Sequence, residues 1–224
     1  MPTLFIIATP IGNLSDVSER AKTTLASVDA VLCEDTRVTA KLLSAFAISV
    51  PTISYHQHSG EAKTSKIVDL LEGGKNLALV TDAGTPGISD PGGRLIEELV
   101  RHFGERLTVT PIPGPCALAT ALSVAGVPAD EFLFLGFPPH KKGRQSFFER
   151  IRLTPCTVVF YESTHRILKT LGELTSRMPE RPLVVCRELT KLYETIYRGS
   201  AAQVTEQLNS TSIKGEFVIV VAPL

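Results

Sequence analysis

Short apolar runs alternate with amphipathic runs along this chain, and that alternation limits most strongly what it can fold into. Leu4 to Ala8, Ala30 to Cys33, Leu77 to Val80 and Leu107 to Thr110 read as buried strands in the first half. Phe132 to Leu135, Thr157 to Phe160, Leu183 to Cys186 and Phe217 to Val221 do so in the second, with shorter extended pieces at Thr52 to Tyr55 and Thr195 to Arg198. Stretches of helical period separate most of them. Strands that alternate with helices call for parallel or mixed sheets covered by helices, so both halves are α/β. The boundary falls between residues 114 and 115, giving an N-terminal α/β domain (1–114) and a C-terminal one (115–224).

In such sheets ligands settle beyond the carboxyl ends of the strands. One of those ends is unusual. Val80 to Arg94 holds four glycines, two prolines and two aspartates in fifteen residues, whereas an ordinary strand-to-helix connection runs about 2–6 residues. Glycine lets backbone amides approach a ligand, proline stiffens the path, and a carboxylate accepts hydrogen bonds from an amine or hydroxyl. The other strand ends are polar too. Glu34-Asp35-Thr36-Arg37 closes the second strand, Tyr161-Glu162-Ser163-Thr164-His165-Arg166 another, and Arg187-Glu188-Leu189-Thr190-Lys191 a third.

Local signals add detail. Asp16 and Glu19 have capping-box spacing ahead of Ala21, Leu25 and Val28. Pro111, Pro113 and Pro115 at a strand end demand a sharp turn, because proline donates no ladder hydrogen bond. His140-Lys141-Lys142-Gly143-Arg144 is the densest basic cluster, suited either to phosphates or to water. His56 and His58 could suit a metal but lack a third ligand nearby.

Composition narrows the function classes. The 23 basic and 23 acidic residues cancel, which argues against a general nucleic-acid coat and leaves room for a local basic patch. No apolar run approaches the roughly 18 residues of a membrane span. The first strand has no basic flank, so a signal peptide is not expected and the cytoplasm is the expected location. Cys33, Cys116, Cys156 and Cys186 show no metal-ligand spacing and read as reduced thiols, three of them in strand-like runs. A nicotinamide-dependent dehydrogenase is set aside, since the first turn lacks Gly-x-Gly-x-x-Gly.

Six motifs in order, Thr9-Pro10-Ile11-Gly12-Asn13-Leu14, Glu34 to Arg37, Asp82-Ala83-Gly84-Thr85-Pro86 with Ser89-Asp90-Pro91-Gly92, Pro113-Gly114-Pro115-Cys116-Ala117, Phe160 to Arg166 and Arg187 to Lys191, cover nearly the whole chain. Together they resemble the small-subunit ribosomal RNA cytidine 2′-O-methyltransferase family of the tetrapyrrole-methylase superfamily. The resemblance implies two α/β domains with S-adenosylmethionine in the cleft between them, a homodimer, and methylation of a cytidine ribose in the decoding region of 16S ribosomal RNA. The substrate would be 16S ribosomal RNA or the small ribosomal subunit, with neither DNA nor membrane involved. It further implies donor contacts at Asn13, Asp82, Ala83, Gly84, Ile88, Ser89, Cys116 and Ala117, and at Tyr161, Lys214, Gly215 and Glu216. Longer family members continue into a helical extension where this chain stops at Leu224.

Transfer of a methyl group from a sulfonium to a ribose hydroxyl requires in-line positioning and a group that draws the hydroxyl proton away. Asp35 and Glu162 are the candidate bases, with His165 and Glu188 behind them. Arg37, Arg166 and Lys191 are candidates to hold phosphates or to lower the hydroxyl pKa. Each has a structural alternative: Asp35 and Arg37 as a helix cap, Glu162 and Arg166 as an exposed i,i+4 pair at a helix start. The competing functions are a methyltransferase of the same fold acting on a tetrapyrrole or protein side chain, and a non-catalytic ribosome-associated binding protein.

Overall fold

Five strands, β1 (Thr3–Ile7), β2 (Ala30–Cys33), β3 (Thr52–Ser54), β4 (Leu77–Leu79) and β5 (Thr108–Ile112), form a sheet of order β3-β2-β4-β1-β5 in which every pair is parallel. The computed structural model describes residues 1–56, 61–90 and 92–224. By its contacts the chain divides into two units, Met1–Cys116 and Ala117–Leu224.

The period-2 alternation of the strands sorts the core of the first unit. Leu4, Leu32, Leu77 and Leu79 pack on one face with Ile67 and Leu71 of α3 (Glu61–Glu72) and Leu95 and Leu99 of α4 (Gly92–Phe103). Ile7, Val31, Cys33 and Ala78 pack on the other with Ala21 and Leu25 of α1 (Glu19–Ser27) and Leu43 of α2 (Thr36–Ala45). Burial on both faces explains why β2 and β4 are apolar throughout, whereas the edge strands β3 and β5 carry hydroxyls. Since all five run the same way, their carboxyl ends and the turns that follow lie along one edge.

In the second unit β6 (Phe132–Phe134), β7 (Thr157–Ser163), β8 (Leu183–Arg187), β9 (Thr195–Gly199) and β10 (Glu216–Val221) make a mixed sheet of order β6-β7-β10-β8-β9. Only β6 and β7 pair in parallel. Val158, Phe160, Val185, Phe217 and Ile219 bury one face beneath α6 (Arg144–Leu153), α7 (Ile167–Arg177) and α8 (Ala201–Ser210). α5 (Ala117–Ala125) lies against β10.

Three local expectations need correction. The cap of α1 is Ser18, whose hydroxyl accepts from the Ala21 amide; Asp16 ends a separate 3-10 turn. β5 does not turn away at its first proline but stays paired through Pro111 to Ile112. Thr108 N donates to Pro2 and Ile112 O accepts from Ala8, so residues 108, 110 and 112 face β1 and Pro111 points outward. The missing N–H therefore costs no bond on this edge strand. Finally, Tyr161, Glu162 and Ser163 belong to β7 itself, not to the turn after it.

All four cysteines are free thiols. Two, not three, lie in strands: Cys33 and Cys186 are buried, and burial pushes the Cys186 thiol up to about 11. No helix among the described residues is long and apolar enough to cross a membrane. Replacing Ser18 by alanine should cost about 1 kcal/mol in urea unfolding, the usual loss for an N-cap. Asp16→Ala should stay within about 0.5 kcal/mol of the parent.

Candidate functional site

The turns that leave β1, β2, β4 and β5 are tied to one another. Thr9, buried at the end of β1, exchanges backbone hydrogen bonds with Gly84 (2.9 and 3.1 Å), and its hydroxyl donates to Thr81 O at 3.0 Å. Thr85 Oγ1 donates to Pro115 O at 3.0 Å, joining the β4 turn to the β5 turn. At Gly114 a Cβ would lie 3.0 Å from the Ala8 methyl, so that turn approaches β1 as only glycine allows without displacement. Asp82 accepts from the Asp35 amide at 3.3 Å, and Thr81 Oγ1 donates to Glu34 at 3.2 Å, which brings in β2.

Gly84 and Gly87 adopt φ of +90° and +87°, and Ser89, with φ +62°, does the same without glycine's freedom. Left-handed backbone costs a non-glycine residue roughly 1–2 kcal/mol. Asp82 and Ala83 are exposed. A cavity of about 360 Å³, lined by Thr9, Gly12, Thr39, Lys41, Thr81 and Asp82 among others, opens beside the β1 and β4 turns and α2. Of the donor residues expected in this unit, Asp82 lines the cavity and Ala83 and Gly84 follow it in the turn. Asn13 lies between two lining residues, with its side chain accepting from Ser15 N at 3.0 Å. Ile88, Ser89 and Cys116 do not line it.

The carboxylates here differ. Asp35 caps α2 and binds Arg37 twice, at 3.0 and 2.6 Å, and this pairing holds its pKa near 2. A carboxylate that acidic is a poor proton acceptor, and Arg37, its side chain 86% exposed, pairs with it at the surface. The neighbouring Glu34 shows the opposite tendency: burial, reinforced by the charge of Asp82, pushes its carboxyl up, outweighing the hydrogen bond from Thr81. Both acids are visible in the sequence, but only the fold shows that pairing with Arg37 lowers one and burial raises the other.

In the second unit the end of β7, the end of β8 and the start of β10 meet at one edge of the sheet, where Ser163 pairs with Glu216 and Arg187 with Phe217. Thr164 Oγ1 donates to Gly215 O and accepts from Gly215 N. Arg187 Nε donates to Lys214 O at 2.6 Å. Glu188, at φ +53°, accepts from Lys191 at 2.9 Å and from the Glu216 amide at 2.8 Å. Burial raises the Glu188 pKa, but the Glu216 amide and the Lys191 ammonium together hold it below the usual range. Burial likewise pulls Lys191 down, and Glu216 and Glu188 outweigh it, so Lys191 stays charged and ion-paired.

Glu162 and Arg166 are not an exposed pair. Glu162 is 1% exposed and accepts from Thr170 Oγ1 (2.6 Å), Ser163 N (2.8 Å) and Arg166 (2.8 Å). Arg166 also donates to Pro138 O at 2.7 Å. Its oxygens thus tie β7 to the turn after it and to α7. His165 is exposed in the turn after β7, and Tyr161 packs edge-on against Phe134 and Phe137. His56 is exposed; Gln57 and His58 lie outside the described residues. Among the described residues no group of three or more His, Cys, Asp or Glu is placed to hold a metal ion. Sequence reasoning missed the tethering roles of Thr9, Thr81, Thr164 and Arg187; only their position at strand ends signalled them.

A family model for tetrapyrrole (corrin/porphyrin) methylases matches residues 3–205. The chain is 45% identical to the ribosomal RNA small subunit methyltransferase I of Vibrio cholerae, across 98% of this chain and 77% of that protein. It is 43% identical to the protein of that name from Halalkalibacterium halodurans (98% and 75%) and 42% identical to that of Bacillus subtilis (99% and 75%). Among solved structures it resembles diphthine synthase, with a TM-score of 0.72 at 12% identity over 98% of this chain and 90% of that one. It also resembles a cobalt precorrin-4 methyltransferase, at 0.70 and 18% (98% and 94%). A Thermus thermophilus uroporphyrin-III C-methyltransferase complexed with S-adenosylhomocysteine follows at 0.65 and 17% (99% and 97%). At these identities the structural likeness speaks for the fold.

The raised carboxyl of Glu34 has a measurable consequence. Its folded pKa lies above its unfolded one, so ionising it opposes folding as pH rises through that interval. Glu34→Gln should therefore raise the melting temperature at pH 7, and the gain should vanish below the ordinary carboxylate range, as read by thermal unfolding across pH.

Proposed function

The chain belongs to the tetrapyrrole methylase family and, within it, to the ribosomal RNA small subunit methyltransferases I; from that premise we propose that it methylates the 2′ hydroxyl of a cytidine ribose in the decoding region of 16S ribosomal RNA, with S-adenosylmethionine as donor. The observation that carries this is the 42–45% identity to proteins of that name over 98–99% of the chain. A homodimer and a cytoplasmic site of action, which the family resemblance implies, belong to the same reading.

The first unit suits the donor. Gly84, at φ +90°, has a conformation that L side chains rarely adopt, so the β4 turn carries no side chain there. The exposed carboxylate of Asp82 stands beside it, able to accept from an ammonium or a ribose hydroxyl. The neighbouring cavity falls within the 300–1,000 Å³ typical of small-molecule sites. We assign donor contacts to Asn13, Asp82, Ala83, Gly84, Ile88, Ser89 and Cys116. In the second unit the Lys214-Gly215-Glu216 turn, fixed by Thr164, Arg187 and Glu188, has the rigidity that a ligand contact requires. Ala117 and Tyr161 remain assigned with it.

When bound, the donor supplies an electrophilic sulfonium methyl. The chain's own task is to orient the acceptor oxygen in line with it and to draw off the hydroxyl proton. With Asp35 too acidic and Glu162 enclosed, Glu34 is the carboxylate of the first unit best suited to that proton.

Titration calorimetry with S-adenosylmethionine, read beside single-turnover methylation of small ribosomal subunits, tests the division of labour. Asp82→Ala should weaken donor affinity roughly 10- to 100-fold, the value of a hydrogen bond to a charged group. Glu34→Gln should leave donor affinity within twofold and slow transfer by roughly 10²–10⁴, the usual contribution of a general base. Methyl label that goes to a tetrapyrrole or a protein instead of 16S ribosomal RNA defeats the reading.

A further inference from the structure

The basic loop after β6 is built more rigidly than a solvated connection requires. Arg144, the last residue of the basic cluster, is only 5% exposed. Its guanidinium donates to Pro139 O at 3.4 Å and to Thr170 Oγ1 at 2.8 Å, and stacks 4.9 Å from the centre of the Phe148 ring. Thr170 Oγ1 in turn donates a hydrogen bond to Glu162, which also binds Arg166, and Arg166 donates to Pro138 O. Arg166, bound directly to the buried Glu162, and Arg144, linked to it only through Thr170, thus grip consecutive carbonyls of the loop. Gly136 and Gly143 bound it in left-handed conformations, φ +63° and +85°, and Tyr161 N donates to Gly136 O. Burying charge is costly, and here that cost goes to fixing backbone.

The fixed loop presents Phe137, 50% exposed with its ring edge-on to Tyr161 at 5.4 Å, followed by the exposed His140, Lys141 and Lys142. Among the described residues neither lysine pairs with a carboxylate. An exposed aromatic face beside unneutralised ammonium groups is the combination that holds single-stranded RNA, a base stacked on the ring and phosphates on the cations.

We propose that residues 137–142 form a preorganised docking platform for an unpaired stretch of the substrate RNA, with Phe137 stacking on a base and Lys141 and Lys142 holding phosphates. This rests on the reading above that the substrate is ribosomal RNA, and adds which surface grips it. Exchange of the two lysines for alanine should weaken binding to protein-free 16S ribosomal RNA and reduce the slope of log affinity against log salt by about 1.4, two single-strand phosphates at about 0.7 each. Phe137→Ala should cost roughly 5- to 100-fold in affinity, the worth of one stacked base, and Phe137→Trp should retain it. Calorimetric affinity for S-adenosylmethionine should not change in any of these variants.

If the parent methylates 16S ribosomal RNA while the lysine and Phe137 variants bind it with unchanged affinity and salt slope, the platform is refuted and the proposed function stands. If the variants lose binding only to whole small subunits and never to protein-free RNA, the surface meets a ribosomal protein and the RNA assignment is overturned. A parent that neither binds nor methylates ribosomal RNA removes both.

Discussion

Everything at the loop edge of the first sheet depends on Thr9. An all-parallel sheet guarantees that its turns emerge on one side, but it does not order them, and fixing a free loop costs roughly 1–2 kcal/mol per residue. Thr9 opposes that cost by joining β1 to the long β4 turn through two backbone bonds and a buried hydroxyl. The Thr85 bond to Pro115 and the close approach of Gly114 to Ala8 extend the same linkage to the β5 turn. A single hydrogen bond contributes only about 1 kcal/mol net, so the turns are rigid because the tethers act together with the prolines between them.

The second unit reaches the same end with charge. Glu188 and Thr190 sit at φ +53° and +66°, strained positions of a kind that costs on the order of 1–3 kcal/mol each. The bonds from Lys191 and the Glu216 amide to Glu188, and from Thr190 N to Glu194, hold them there. Glu188 and Lys191, both polar residues of one motif, here position backbone.

How much of this could be read from the sequence follows from what sequence patterns encode. Strand and helix positions were legible because burial on one or both faces writes a period into the residues, as in Ala30–Cys33, which matches β2 end to end. The glycine- and proline-rich β4 turn was legible because few other residues adopt its backbone. What stayed hidden was partnership across the chain. Nothing near Glu162 reveals that Thr170 and Arg166 enclose it, and nothing near Arg144 reveals that Phe148 and Thr170 draw it inward. Asp16 and Ser18 are both plausible caps, and only the hydrogen bond to Ala21 decides between them.

Pro111 carries one more consequence. β5 ends the first sheet, and an edge strand ordinarily offers outward amides on which a second chain can lay a further strand. Here the outward position near the end of β5 is a proline, so a backbone donor is missing where such an addition would need it. Strand-by-strand growth is thereby blunted on this flank, because an added strand would find the outward amide of Val109 but none at the next outward position.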